Sequence, residues 1–280
     1  MGQIASLKMT DALLRLHSLN AKQSYGQNFI INSQVVEDIV RLSNVDKNTI
    51  VIEIGAGLGA LTEELVSSAK HVIAYEIDGD LIPLLKENIN GSNLEIINAD
   101  FMRVNLDALL AKFSRDKIIV MSNLPYYITS DILIKLFKVK RPIDSVVVML
   151  QKEVGIKLAK PLEDKEKNEL SMLAQFCSDI KVLKYVSKND FLPRPKVDSV
   201  VLQFTTKATK ISTEEFATFL KIIYKNRRKT ILNNLVEYYA DKDRILRVLN
   251  SCQINSTERA EKLNQNQITK LLVSIKKEMA

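Results

Sequence analysis

The 280 residues include only two cysteines, two histidines and eight glycines. Cys177 and Cys252 stand far apart with no CxxC pair, which argues against a disulfide framework and a structural zinc site and for a reducing compartment. No apolar run approaches the ~20 residues of a membrane span, and Met1 to Lys22 lacks a secretory apolar core. These absences lead to the expectation of a cytoplasmic chain with no membrane partner and no metal. Charge of one sign is also missing from most of the chain. Residues 1–206 carry 25 Lys+Arg against 25 Asp+Glu, while residues 207–280 carry 15 against 8, so the whole net charge of +7 resides in the last quarter.

A hydrophobic content of 46% is ample for a core, and the length suggests one domain of about 200 residues plus a smaller one. An electroneutral body with a basic appendage reads as an enzyme carrying a polyanion-binding module, with a solvated helical surface as the plainer alternative. The expected division is 1–206, catalytic, and 207–280, helical and basic.

Thr49 to Ile54 is apolar almost throughout, as a parallel strand covered on both faces should be. It runs into Gly55-Ala56-Gly57-Leu58-Gly59-Ala60, and the segment Leu61 to Val66 starts a helix. Glycines there let the backbone approach a ligand while the helix N-terminus offers unpaired N–H groups. A second strand, His71 to Tyr75, ends in Glu76, about 20 residues after the glycine turn, where a ribose diol is held. The pairing signals a nucleoside cofactor without saying which, since Gly55, Gly57 and Ala60 also satisfy the dinucleotide fingerprint.

A third strand, Leu94 to Ile97, leads to Asp100-Phe101, a carboxylate that could accept from an adenine amine beside a ring that packs on the base. The apolar run Ile118 to Met121 opens into Ser122-Asn123-Leu124-Pro125-Tyr126-Tyr127. Pro125 fixes its own φ and restricts Leu124, so the Leu124 and Pro125 carbonyls can point at a ligand. Asn123 adds an acceptor and Tyr126 a stacking ring, which together suit a planar base with an exocyclic amine. A proline loop packed on a sheet edge would read the same way. Strands at 146–150, 181–185 and 200–204, with helices between them, complete an α/β pattern with a mostly parallel sheet.

Beyond Lys207 the pattern is helical only. Phe216, Leu220, Ile223 and Ile231 are expected on one face of a long helix, with Lys221, Lys225, Arg228 and Lys229 as a basic stripe on another. Arg227 lies nearer the apolar face and is expected at an interdomain contact rather than on the polyanion.

With these motifs in order, the sequence resembles the ribosomal RNA adenine dimethyltransferase family, most closely its KsgA type. The resemblance is carried by Gly26-Gln27-Asn28-Phe29, Glu53-Ile54-Gly55-Ala56-Gly57, Glu76, Asp100, Asn123-Leu124-Pro125-Tyr126, Gln151-Lys152-Glu153, Phe191 to Ser199, and Asn226-Arg227-Arg228-Lys229-Thr230. It implies a Rossmann-like methyltransferase sheet with a smaller helical C-terminal domain. It also implies S-adenosyl-L-methionine as cofactor and N6-dimethylation of two adjacent adenosines near the 3′ end of small-subunit ribosomal RNA. The partner it implies is an immature 30S subunit, and the chain is expected to act as a monomer.

By the same resemblance Asn28, Ile30, Gly55, Gly57, Glu76, Ile77, Asp100, Phe101 and Asn123 hold the cofactor. Asn123, Leu124, Pro125 and Tyr126 hold the base, which Phe191 stacks against unless it is an ordinary core residue. Departures stand at Asn226, Tyr224 and Asn98-Ala99. Three other readings remain: a nicotinamide dehydrogenase, an assembly factor with little catalysis, and an Erm-like methyltransferase of large-subunit RNA.

Overall fold

The structure is a computed structural model and describes residues 4–124, 128–163 and 166–279. It divides into two compact units. The first runs to Ala159 and resumes over Asp179–Thr206; the second joins Lys160–Ser178 to the chain from Lys207 onward. The expected division at 206/207 differs in one segment, 160–178. That segment packs with the later helices because Phe176 stacks on Phe216 with ring centroids 3.9 Å apart.

In the first unit α1 (Leu7–Leu16) is followed by β1 (Phe29–Ile30), α2 (Ser33–Leu42), β2 (Thr49–Ile54), α3 (Ala60–Ser68), β3 (His71–Glu76) and α4 (Ile82–Asn88). Then come β4 (Leu94–Asn98), α5 (Leu106–Ala111), β5 (Lys117–Asn123), α6 (Thr129–Phe137), β6 (Ser145–Gln151) and α7 (Lys152–Ala159). After α8 (Glu169–Cys177) of the second unit, the first is completed by β7 (Ser178–Val186), β8 (Phe191–Leu192) and β9 (Ser199–Thr206). Helix α1 ends at Leu16. His17 caps it and Ser18 turns to a φ of 52°.

Seven strands form one sheet in the order β4-β3-β2-β5-β6-β9-β7. Strands β4, β3, β2, β5 and β6 are parallel neighbours, and β9 lies antiparallel to β6. The chain order reverses on either side of β2, between β3 and β5, and open α/β sheets bind ligands at such a reversal. Every residue of β2 is buried, so its apolar run follows from cover on both faces. Val35, Val36, Ile39 and Val40 of α2 pack with Val51, Met121, Val147 and Val201 on one face.

One pairing had no forewarning in the sequence pattern. The short β1 and β8 form a separate antiparallel ribbon, with Phe29 opposite Leu192 and Ile30 opposite Phe191. Asn32 Nδ2 donates to Asp190 Oδ1 at 2.8 Å beside it. The ribbon ties the Gly26-to-Phe29 segment to the loop before β9.

In the second unit α9 (Thr213–Ile223), α10 (Ile231–Tyr239), α11 (Lys242–Ser251) and α12 (Gln265–Met279) follow α8. The long helix expected through Ile231 is therefore two helices. The buried Asn234 side chain donates to the carbonyls of Ile223 at 3.0 Å and Asn226 at 3.1 Å, closing the end of α9. Thr230 then caps α10 by accepting from the Asn233 N–H. Phe216, Leu220, Ile223 and Ile231 are all fully buried, as their spacing requires.

Candidate active site

The turn after β2 is held in the left-handed region, with φ of 75° at Gly55 and 94° at Gly59. At Gly59 a Cβ would come within 2.2 Å of Ile89 Cδ1, so packing as well as φ excludes a side chain. At Gly55 a Cβ would meet nothing within 4 Å, because this glycine faces the open cleft. The N–H groups of Gly55 and Ala56 donate to the Tyr75 carbonyl at 2.8 and 3.2 Å, which ties the turn to the end of β3.

Glu76 follows Tyr75 and is 5% exposed. Its Oε2 accepts the Gly57 N–H at 2.7 Å and its Oε1 accepts the Asp78 N–H at 2.8 Å. Burial pushes its carboxyl up, while these two donors pull it down. Each oxygen keeps a further lone pair for a ligand hydroxyl. Asp78 in turn accepts from the Lys22 ammonium at 2.6 Å and the Gln27 amide at 2.8 Å. These contacts supply the partner that Gln27 needs beside its apolar neighbours, and they hold the segment before β1 against the cleft.

Across the switch point Asn123 ends β5. Its Nδ2 donates to the Asn28 carbonyl at 3.0 Å, and Asn28 Nδ2 donates to the Gly26 carbonyl at 3.0 Å. A carbonyl only accepts, so the Asn123 amide must face Asn28 with its nitrogen and turn its oxygen away. Asn28, Ile30, Gly55, Gly57, Glu76, Ile77 and Asn123 line one cleft, so seven of the nine expected cofactor residues come together.

The other two are placed beside it. Asp100 Oδ1 accepts the Met102 N–H at 2.9 Å, and its other oxygen lies 3.5 Å from Arg103 Nε. Phe101 is buried edge-on against Tyr75, with centroids 5.4 Å apart. Lys135 of α6 fastens this loop by donating to the Met102 and Val104 carbonyls, each at 2.7 Å. Ile77, by contrast, is an exposed apolar side chain at the cleft rim.

Of the residues expected around the base, Leu124 is buried, and Pro125 and Tyr126 lie outside the described residues. Phe191 is 3% exposed, packs in the core with Ile30, Val35 and Val186, and lies opposite Ile30 in the β1–β8 ribbon.

Glu53 was not anticipated as a site residue. It is 1% exposed, lines the cleft, and its Oε2 has no hydrogen-bond partner among the described residues. Burial, with the Glu76 charge adding to it, pushes its carboxyl up to about 8. A glutamate inside an otherwise apolar strand, directly before the first glycine, was the available signal.

The basic stripe expected on one helix is spread over the end of α9 and the turn before α10. Lys221 and Arg228 are exposed. Lys225 and Lys229 converge on the two oxygens of Glu237, at 2.8 and 2.7 Å. The Lys225 and Lys229 ammonium groups together hold the Glu237 carboxyl down to about 2. Arg227 pairs with Glu261 at 3.3 Å within the same unit.

Comparison with known proteins bears on the whole chain. The family profile for ribosomal RNA adenine dimethylase matches residues 18–277. A ribosomal RNA small subunit methyltransferase A from Mycoplasma mycoides is 40% identical over 90% of this chain and 97% of its own length. One of the same name from Staphylococcus aureus is 38% identical over 98% of this chain and 96% of its own. The crystal structure of a dimethyladenosine transferase from Plasmodium falciparum superposes with a TM-score of 0.74 at 25% identity, covering 89% of this chain and 98% of that one. That of the 23S rRNA methyltransferase ErmE, at 21% identity and a TM-score of 0.61, shares the fold.

Proposed function

The chain belongs to the ribosomal RNA adenine dimethylase family, and on that premise we propose how its residues carry out the reaction. It is an S-adenosylmethionine-dependent methyltransferase that dimethylates adenine in small-subunit ribosomal RNA. The finer reading is that its targets are two adjacent adenosines near the 3′ end of that RNA, that it meets them in an immature 30S subunit, and that it acts as a monomer. An Erm-like activity on large-subunit RNA is not favoured by relatives named for the small subunit.

The cleft fits the cofactor on three observations. Gly55 leaves open space where any side chain would intrude, Glu76 is a buried acceptor held by two backbone N–H groups, and Glu53 lines the same cleft with a buried carboxyl oxygen that has no partner among the described residues. In this reading Glu76 accepts from the ribose hydroxyls, Ile77 covers the adenine, and Asn28, Ile30 and Gly57 form the walls. Glu53 supplies an oxygen to the polar end. Asp100 serves the adenine amine through an oxygen not used on the Met102 N–H. When bound, the cofactor supplies a methyl group on a sulfonium, which is already a good leaving group.

The observation that carries the mechanism is the orientation of Asn123. An adenine amine is a poor nucleophile because its lone pair is delocalised into the ring. In the first transfer, accepting the two N–H groups at Asn123 Oδ1 and at the Leu124 or Pro125 carbonyl favours a pyramidal nitrogen with its lone pair free; in the second, the one remaining N–H is held by one of these acceptors, and each transfer sheds one amine proton to solvent. Positioning and electrostatics then suffice without a strong base. The base must leave its stack, at a cost of roughly a few kcal/mol, which stacking on Tyr126 offsets. Phe191 contributes by anchoring the ribbon that carries Asn28. In the second unit Lys221, Lys225, Arg228 and Lys229 meet RNA phosphates.

The test is to incubate the protein with labelled S-adenosylmethionine and unmethylated 30S subunits, 50S subunits or naked ribosomal RNA, and to map the product. Label at two neighbouring adenosines near the 3′ end of the small-subunit RNA is expected, strongest with immature 30S particles. Label on 50S subunits, or at other positions, would overturn the finer reading.

A further inference from the structure

Gln151-Lys152-Glu153 and the loop from Pro193 to Val197 are two sequence motifs that the cleft leaves unused. The sheet brings them to one place. Asn123 is opposite Met149 on β6, and Gln151, two residues further on, is opposite Ser199 at the start of β9. The Lys152 N–H donates to the Asp198 carbonyl at 3.0 Å, and the Lys188 N–H donates to Asp198 Oδ1 at 3.1 Å. The end of β6, the start of β9 and the end of β7 therefore share the sheet edge on which Asn123 lies. Three inter-strand steps of about 4.8 Å separate β5 from β7, or roughly 14 Å across the sheet.

On this edge Tyr185 is 57% exposed, and the Lys152 ammonium lies 5.6 Å from the centre of its ring. Val154 and Val197 are exposed apolar residues on the same segments, at 41% and 44%. Lys152, Arg194 and Lys196 are exposed, and none of them forms an ion pair among the described residues. The nearby acids are engaged: Glu153 with Lys157 at 2.7 Å, Asp38 with Lys184 at 2.8 Å, and Asp198 with the Lys188 N–H. An exposed ring with the Lys152 ammonium over it, and two further exposed cations on the adjoining 193–197 loop, combine the two features that single-stranded nucleic acid selects, a π-surface for a base and charge for its phosphates. A protein partner would have use for these three cations only if it were itself acidic.

We propose that Tyr185, Lys152, Arg194 and Lys196 form a subsite for single-stranded RNA flanking the target adenosine, with one nucleobase stacked on Tyr185 and neighbouring phosphates on the three cations. The subsite rests on the reading of the cleft as an RNA adenine methyltransferase site. It lies a few extended nucleotides from Asn123, so it fixes which adenosine enters the cleft and does not take part in the transfer.

Three measurements test it on the full-length protein: transfer of label from S-adenosylmethionine to unmethylated 30S subunits, anisotropy of a fluorescent 12-nucleotide oligoadenylate against salt, and calorimetry of S-adenosylmethionine. Tyr185→Ala should raise KM for subunits and Kd for the oligonucleotide about tenfold, the effect of one lost stacking contact. Tyr185→Phe should behave as wild type. Replacing Lys152, Arg194 and Lys196 with Ala should flatten the oligonucleotide's log K against log salt by about two units. Cofactor affinity should hold in every variant, with thermal melting confirming the fold.

Wild-type KM and Kd for Tyr185→Ala, or an unchanged salt slope for the triple variant, would overturn the subsite and leave the enzyme reading intact. A loss seen on 30S particles but not with the oligonucleotide would also overturn it, in favour of a protein contact. Failure of the wild type itself to methylate 30S subunits would instead overturn the reading on which the subsite rests.

Discussion

Asn123 and Asn28 are 95 residues apart, yet the side-chain amide of one donates to the backbone carbonyl of the other at 3.0 Å. The contact decides which end of the Asn123 amide is presented as an acceptor. Asn123→Ala is expected to lower methyl transfer by ~10²–10³ while leaving cofactor binding within a few fold, the usual loss for one transition-state hydrogen-bonding group. Asn123→Asp keeps the oxygen but loses the donor to Asn28, and should be impaired to a similar degree. Single-turnover assays and calorimetry check both, and near-normal turnover in the alanine variant would remove this loop from the mechanism.

Glu76 caps two backbone N–H groups besides facing the cleft. Glu76→Ala should weaken S-adenosylmethionine binding by ~1.5–3 kcal/mol, the range for hydrogen bonds to a charged group. It should also lower the melting temperature, since the Gly57 and Asp78 donors lose their acceptor. Unchanged affinity by calorimetry would sink the ribose assignment.

Glu53 makes stability depend on pH. Its folded value of about 8 lies above the ordinary 4.5, so the folded chain holds a proton that the unfolded chain has lost. The contribution is therefore full below about 4.5 and disappears as pH rises through about 8. Thermal melting of the cofactor-free protein should show a midpoint falling across that window, and Glu53→Gln should flatten the fall. Parallel pH profiles for the two proteins would refute the assignment.

Asn234 closes α9 from within the helical unit. Asn234→Ala leaves two carbonyls without that donor and should cost ~1–3 kcal/mol, read as a lower melting temperature. Arg227→Ala removes a half-exposed pair with Glu261 and should cost no more than about 1 kcal/mol, with little effect on the salt dependence of RNA binding.

Lys225 and Lys229 share the Glu237 carboxylate, so an RNA phosphate must displace a partner already present. Glu237→Gln should tighten RNA binding at low salt by about threefold or more, the scale of exposed ion pairs. Replacing Lys225, Arg228 and Lys229 with Ala should flatten the salt slope by about two to three units. If neither change moves RNA binding, these cations are a solvated helix surface.

What was legible in the sequence was what depends on neighbours along the chain. The buried strand Thr49–Ile54, the glycine turn after it and Glu76 at the end of the next strand declare themselves through apolar runs and φ requirements, which are local properties. Glu53 was legible in principle, as a charge where only apolar residues belong.

Tertiary structure decided the rest, because those features depend on partners distant in sequence. The β1–β8 ribbon pairs two-residue strands too short to show a period, and it buries Phe191, whose motif reads as a base-stacking ring. Helix periodicity ran on from Lys221 to Lys229 because the residues there are compatible with a helix. The break comes from Asn234, which donates to carbonyls 11 and 8 residues before it. The stripe's charges likewise looked uncompensated until α10 brought Glu237 between two of them. Composition sets how many charges a segment carries, but only the packing of one helix beside another determines which of them face an opposite charge.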